Sequence, residues 1–407
     1  MGVLDGKFVV LGVTGGIAAY RSCELARLLI KAGATVQAIL TDYGAKFVGP
    51  LTFQALTGRP AEVGHGGYLA QAGMDHVDLG RQADVLIIAP ATANSLAKVA
   101  CGLADNLLTT TVLASTCPLV LAPAMNTRMW DNPATQQNMA RLRGLERVRV
   151  VGPAMGSLAC GEQGAGRMAE PVEILAAVER GLSPQDLAGR RLLVTAGPTR
   201  EAIDPVRFLS NRSSGKMGYA LAACAARRGA EVGLVSGPTG LQAPWGVERE
   251  LVTSAAEMAA AVNRRAGRAE AVLMAAAVAD FKPRRALARK LKKADGGLPA
   301  QWSRTVDVLS DLARKKGRRV LVGFAAETGD PAAEAERKRK AKKLDLVVAN
   351  DVSQPDAGFE VDCNRVLLVD AGGVEELGLL SKAEVADRIL DRVAVLLPKK
   401  GRAKKSR

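Results

Sequence analysis

Few side chains in this sequence can move a proton near neutral pH, and the candidates stand in distinctive company. Cys160 lies in SLACGEQGAGRM (157–168), a thiol among glycines and small residues that offer little core to fill. Glycine makes a backbone permissive, so this segment is expected to bend or move rather than form a strand or helix. The chain has two histidines. His76, in AGMDHVDLGRQAD, is expected in a loop just before an apolar strand and is the stronger candidate for acid–base work. An idle, solvent-exposed imidazole is its competing reading. His65, in VGHGGY, has no supporting company.

A second group of segments suits anion binding. VTGGIAAY (13–20) turns from strand to helix through two glycines, presenting backbone N–H groups and a helix start to a phosphate. The dinucleotide pattern GxGxxG is absent, which keeps a plain strand turn as the alternative. APATANSLAKVACGLADNLL (89–108) sets Thr92, Asn94 and Ser95 at the next strand end, and PAMNTRMW (123–130) sets Asn126 between two methionines. Small polar groups around an apolar slot would suit a flat, phosphorylated cofactor. In the second half, NRSSGKMG (211–218) opens with Asn211 and Arg212 and runs through small hydroxyls and glycines into a helix. Such a turn cradles a phosphate or carboxylate; a plain helix cap is disfavoured by the AGPT turn and Asp204 just before it. AAAVADF (275–281) ends a strand in Asp280, placed for a nucleotide or a metal. KLKK (290–293) could neutralise phosphate charge or form a solvated face.

These residues need a scaffold, and the apolar pattern supplies one. KFVVLGV (7–13), TVQAIL (35–40), DVLIIAP (84–90) and PLVLAP (118–123) read as buried parallel strands. Between the first two, Leu25, Leu28, Leu29 and Ala32 fall on one helical face, with Gly33 at the C-terminal end. The pattern weakens at GLSPQDLAGR (181–190) and restarts with RRLLVTAGPT, EVGLVSGP, EAVLMAAAVADF, RRVLVGFAAET and LDLVVAND. Two tandem doubly wound, Rossmann-like α/β domains are therefore expected, 1–189 and 190–397, followed by a basic tail, 398–407. The polar, Lys-rich stretch 283–302 suits a loop over a site, and an amphipathic helix is expected near 382–396.

Composition narrows the function classes. With 407 residues, 48% hydrophobic and 24% charged, the chain is long enough for two folded cores. Its six cysteines are scattered with no CxxC, which argues for a reducing compartment, and no apolar run spans a bilayer, so a cytoplasmic protein without membrane contact is expected. The net charge of +15 invites a nucleic-acid partner. Much of it sits in the tail PKKGRAKKSR and in Lys/Arg clusters, while aromatics are only 3%, leaving few stacking platforms for bases. A solvated tail plus phosphate-handling sites, with no nucleic acid, explains the charge better.

The segments GVTGGIAAY, the His76 stretch, APATANSLAKVACGLADNLL, PAMNTRMW and GSLACGEQGAGRM resemble, in order and spacing, the flavin-dependent cysteine decarboxylases, specifically 4′-phosphopantothenoylcysteine decarboxylase. The resemblance implies bound FMN, oxidation of the substrate's cysteine thiol toward a thioaldehyde, loss of carbon dioxide and return of the electrons. It implies His76 as base, Asn126 as holder of the substrate carboxylate and Cys160 as proton donor, delivered by a flap that closes over the substrate. FMN contacts would come from Thr14, Gly15, Gly16, Thr41, Thr92, Ala93, Asn94 and Met125.

From about residue 190 the chain resembles 4′-phosphopantothenate–cysteine ligase, and the fusion order is that of bacterial bifunctional proteins of coenzyme A biosynthesis. That implies CTP as co-substrate, activating the carboxylate of 4′-phosphopantothenate as an acyl-cytidylate that cysteine attacks, with Mg²⁺ assisting. By motif, Lys290 would act in acyl-cytidylate formation, Asn211 would hold the intermediate and Arg207 would support the acyl group. Met274, Ala275, Ala276, Asp280, Val306, Asp307, Val308, Leu309, Phe324, Lys338 and Lys342 would line the CTP site, with Asp280 the candidate for the metal. Lys338 and Lys342, four apart on a predicted helix, can point at one triphosphate. The chain departs from the family where TVDVL (305–309) lacks the proline that commonly precedes the aspartate. A homo-oligomer through both domains is implied. The competing class is a flavin-fold regulatory binding protein without decarboxylase activity.

Overall fold

The computed structural model describes residues 2–65, 76–157, 161, 163–291, 301–327, 330–351 and 361–398. Cys160 and the tail from residue 399 lie outside them. The chain divides into two compact units, Met1–Pro184 and Gln185–Arg407.

In the first unit, strands β1 (Phe8–Val13), β2 (Thr35–Leu40), β3 (Glu62–Val63), β4 (Val85–Ala91), β5 (Leu119–Pro123) and β6 (Val148–Val150) form one sheet. Their order is β3-β2-β1-β4-β5-β6, and every pairing is parallel. Strands buried on both faces must be apolar throughout, as β4 is from Val85 to Ala91. Helices Arg21–Lys31 and Pro171–Leu182 cover one face through Leu25, Leu29, Ile174 and Val178. Leu79, Leu96, Leu108 and Met139 from other helices cover the opposite face. The first helix buries Ser22, Leu25, Ala26 and Leu29, so its buried face is turned slightly from the expected Leu28 and Ala32. Gly33, at φ +95°, follows its C-terminal end.

Two expectations for this unit fail. Residues 163–167 are a strand, β8 (Gln163–Arg167), paired antiparallel with β7 (Ala154–Ser157). Backbone hydrogen bonding needs no side chain, and glycines here permit close pairing instead of preventing it. His76 is not in a loop: it opens the helix His76–Gln82. Gly80 disguises that helix in the sequence, but a Cβ there would lie 3.2 Å from the carbonyl carbon of Ala114. A glycine at this position is what lets the two segments touch.

The second unit repeats the design. Here β9 (Arg191–Ala196), the short pair β10 (Arg200–Ala202) and β11 (Phe208–Ser210), then β12 (Glu231–Ser236), β13 (Val247–Leu251) and β14 (Ala271–Met274) come first. They are followed by the hairpin strands β15 (Phe281–Pro283) and β16 (Trp302–Arg304), then β17 (Val320–Glu327), β18 (Leu346–Asp351), β19 (Cys363–Asp370) and β20 (Gly373–Ser381). The main sheet runs β13-β12-β9-β14-β17-β18-β19-β20, parallel as far as β18 and antiparallel over the last two pairings. Helices Lys216–Arg227 and Lys382–Leu396 pack on one face through Leu221 and Ile389. Met258, Leu309 and Ala335 pack on the other. The ends of the 283–302 stretch are the antiparallel pair β15–β16, and residues 284–291 between them carry no regular structure.

Both sheets have a switch point, β1/β4 and β9/β14, where successive crossovers leave in opposite directions. Ligands in such sheets bind beyond the carboxyl ends of the strands there.

Candidate active sites

A cavity of about 890 Å³ opens at the β1/β4 rim of the first unit. Its floor is Gly15, Gly16, Thr41, Thr92, Ala93, Asn94, Met125 and Asn126, and Gly166, Arg167 and Met168 come in from the end of β8. The turn before the short helix Ile17–Tyr20 has no side-chain cap at Gly16, so its first N–H groups are open to a ligand. Gly15 has to be glycine, because a Cβ would lie 2.4 Å from Cβ of Tyr43.

The threonines expected to touch a cofactor also hold the rim together. Thr92 and Thr41 cap helices through Ser95 N–H and Gly44 N–H, leaving part of each side chain on the cavity wall. Thr14 is different. It is buried, donates to the Pro90 carbonyl at 2.7 Å and accepts from Thr92 N–H at 3.1 Å, and is not among the lining residues. It positions the Thr92 segment from behind the wall. Asn126 caps its helix by accepting from Arg128 N–H at 2.8 Å and lines the cavity. His76 is half-buried and outside the lining set.

Sequence reasoning passed over several wall residues. Arg21 donates to the Met168 carbonyl and pairs with Glu170, which also takes Arg167 at 3.2 Å. This ties the start of the first helix to the end of the hairpin. Lys98 lines the cavity while paired with Asp105 at 2.6 Å. A helical Lys one turn beyond Asn94 was the signal available for it.

The second unit has a cavity of similar size, about 890 Å³, at the β9/β14 rim. It gathers Asn211, Met274, Ala275, Ala276, Asp280, Val306, Asp307, Val308, Leu309, Phe324, Lys338 and Lys342 from five separate stretches of chain. Lys338 Nζ donates to the Phe324 carbonyl at 2.6 Å, and Lys342 Nζ pairs with Asp307 at 2.8 Å. Asp307 caps the helix Val308–Arg314 through Ser310 N–H. Burial would raise its carboxyl, but the hydrogen bonds from Lys342 and Ser310 and the Lys342 charge hold it below the usual carboxylate range. TVDVL thus keeps its aspartate in place by a cap and an ion pair without the proline. Asn211 Nδ2 donates to the Val278 carbonyl at 2.9 Å, anchoring the NRSSGKMG turn to the loop after β14; that strand stops at Met274, so Asp280 lies on the loop and not at the strand end expected for it.

Arg207 and Lys290 are not in this lining set. Arg207 belongs to a neighbouring node, and Lys290 directly precedes another member: the buried Asp204 carboxylate accepts from the N–H groups of Val206, Arg207 and Leu291, and the Arg207 guanidinium lies 3.8 Å from it. Burial pushes the Asp204 carboxyl up, and these donors, with the Arg207 charge, more than offset it. The aspartate therefore tethers the Lys290 segment to the β10–β11 turn. Wall residues missed in the sequence are Asn350, Asn364 and Lys382. Asn350 Oδ1 is buried without a partner among the described residues, an acceptor suited to a ligand N–H or O–H.

Residues 3–183 match the family described as Flavoprotein, and residues 187–396 match the DNA/pantothenate metabolism flavoprotein C-terminal domain. The chain is 44% identical over 404 residues to the Coenzyme A biosynthesis bifunctional protein CoaBC of Bacillus subtilis (strain 168), covering 98% of this chain and 99% of that protein. The chain belongs to the CoaBC family. The CoaBC protein of Mycobacterium tuberculosis (strain ATCC 25618 / H37Rv) is 46% identical over 409 residues, covering 96% and 97%. Among solved structures, a C-terminal domain of a CoaBC protein is 42% identical, with TM-score 0.45, and covers 52% of this chain and 97% of that one. A mutant PPC decarboxylase complexed with pantothenoylaminoethenethiol is 36% identical, with TM-score 0.37, covering 42% and 96%. CoaBC membership bears out the resemblance drawn from the motifs and the tandem α/β architecture.

Proposed function

We propose that the chain carries out two consecutive steps of coenzyme A biosynthesis. The second unit ligates cysteine to 4′-phosphopantothenate with CTP, and the first unit decarboxylates the resulting phosphopantothenoylcysteine to 4′-phosphopantetheine. One observation carries the reading: most of the residues picked by motif, from distant stretches, meet in two cavities, each at a switch point of its own sheet.

In the first unit the residues suit FMN. The open N–H turn at Gly16 fits its phosphate, and the slot beside Met125 fits a flat ring. A bound flavin supplies reversible two-electron chemistry. Asn126 is on the wall to orient the substrate carboxylate. Cys160 falls in sequence between β7 and β8, and its thiol would give a proton to the developing ene-thiolate carbon. His76 would take the substrate proton.

In the second unit the carboxylate of 4′-phosphopantothenate attacks the α-phosphorus of CTP and pyrophosphate departs. The amine of cysteine then displaces CMP. Lys338 and Lys342 reach the triphosphate and the Asn211 turn holds the acyl-cytidylate. Lys290, outside the lining set on the segment tethered by Asp204, would offset charge at the reacting phosphate. The described residues contain no group of three or more His, Cys, Asp and Glu that could hold a metal. Mg²⁺ would accordingly ride on the phosphates, with Asp280 as its protein ligand. No helix of the described residues is long and apolar enough to cross a membrane. A cytoplasmic homo-oligomer suits this reading.

The test joins a visible spectrum with two product assays on the purified chain. Yellow protein that releases carbon dioxide from phosphopantothenoylcysteine, and pyrophosphate only when CTP, phosphopantothenate and Mg²⁺ are all supplied, supports it. Yellow protein that releases neither product favours a regulatory flavin-fold protein.

A further inference from the structure

The second cavity receives cationic side chains from both faces of its sheet. Lys338 and Lys342 come from or directly follow the helix Pro331–Ala341, which packs in the layer containing Met258 and Leu309. Lys216 and Lys382 open the helices Lys216–Arg227 and Lys382–Leu396, which pack in the opposite layer. Lys382 is only 6% exposed, yet it lines the cavity. Its ammonium donates to the Val361 carbonyl, while Lys216 Nζ reaches Asp362 at 2.7 Å.

This is a costly place for a second positive charge. Taking an ammonium out of water costs several kcal/mol before its contacts are counted. Burial and the neighbouring Lys216 charge both push the Lys382 amine below its usual value. Asp362 is 85% exposed, so its pairing with Lys216 is the weak, exchangeable kind. Two cations held side by side at a cavity wall are relieved when an anion with several acceptor oxygens enters.

We propose that Lys382 and Lys216 form a phosphate-binding subsite of the ligase cavity, separate from the Lys338–Lys342 pair. The proposal rests on the ligase reading above. Its ligand is a phosphate group of one of the two phosphorylated substrates, the triphosphate of CTP or the terminal phosphate of 4′-phosphopantothenate.

The experiment is calorimetric titration of the full chain and its Lys382→Met variant with each compound alone, using cytidine and pantothenate as controls without phosphate. Methionine fills the buried space and removes the charge. Binding of one phosphorylated compound should weaken at least tenfold, Lys382→Arg should restore most of it, and the controls should be unchanged. Which compound loses affinity identifies the phosphate. Thermal unfolding without ligand should show the methionine variant as stable as the parent, or more so. If that variant does not fold, Lys216→Met, at a partly exposed position, must show the same loss. Both compounds binding either folded variant as tightly as the parent would overturn the subsite. A parent chain that binds neither compound defeats the ligase reading, and the subsite falls with it.

Discussion

Replacing Gly164 with alanine should slow decarboxylation without emptying the flavin site. Gly164 lies on β8, opposite Gly156, and faces Thr127, the residue after Asn126. A Cβ at Gly164 would lie 2.5 Å from Thr127 Oγ1, 2.9 Å from its Cγ2 and 3.2 Å from its Cβ. Carbon atoms prefer about 3.5–4.0 Å, so the hairpin must retreat by roughly 1 Å. Thr127 cannot swing clear, because a β-branched side chain at the start of a helix has few rotamers. Overpacking of this kind costs about 1–3 kcal/mol, which corresponds to a roughly 5- to 150-fold slower reaction if the closed hairpin is needed for protonation. The assay is carbon dioxide release from phosphopantothenoylcysteine, with visible absorbance reporting flavin occupancy. Thr127→Ala in the same chain removes the two closest atoms. It should restore the rate to within a few-fold of the parent, at little cost, since Thr127 Oγ1 is buried without a partner among the described residues. Unchanged turnover in the single variant would refute the coupling of hairpin position to chemistry. A double variant no faster than the single would show that the clash is not the cause.

Lys290→Gln should lower pyrophosphate release at least a hundredfold, while carbon dioxide release from supplied phosphopantothenoylcysteine continues; simultaneous loss of both would mean a structural role. Arg228 is 5% exposed and binds Asp186, Asp391 at 2.8 Å and the Asp387 carbonyl at 3.1 Å. Its replacement by methionine should cost about 2–3 kcal/mol by denaturant titration, at the low end for a buried ion pair because the carboxylates are partly exposed and regain water. The Arg228 hydrogen bond, more than any other group, holds the Asp186 carboxyl below its usual value. That contribution is present above the unfolded carboxyl value of about 3.9 and is lost as pH falls through the lower folded one. Acid unfolding of the parent between about pH 5 and 2 should therefore be steeper than that of the arginine variant, and identical profiles would contradict the linkage.

Much of the scaffold was legible because it rests on local pattern. The apolar runs that became β1, β2, β4, β5, β9, β12, β14, β17 and β18 are continuous because both sheet faces are covered, and that leaves a mark in composition alone. The residues that the resemblance assigns to a nucleotide lie in five stretches of sequence, and one cavity gathers them. The misreadings share a cause. Gly80 and Gly164 look like breaks in regular structure, yet each is glycine because another element passes within about 3 Å of its missing side chain. A different limit holds for Thr14, which the resemblance assigns to the cofactor: its hydroxyl is engaged by Pro90 and Thr92, residues almost eighty positions away, which no local pattern reveals. Lys382 is the first residue of the expected amphipathic helix, and nothing in the sequence marks that lysine as buried against a cavity.

By itself, the amino-acid order determined two α/β units, the strands within them and the glycine-containing turns at their ends, since these depend on neighbours a few positions apart. Only the tertiary structure decided which polar groups face a cavity and which brace its wall, and which lysines share a cavity. Burial and charge pairing depend on distance in space, and residues such as Lys216 and Lys382, or Gly164 and Thr127, become neighbours only when the chain closes on itself.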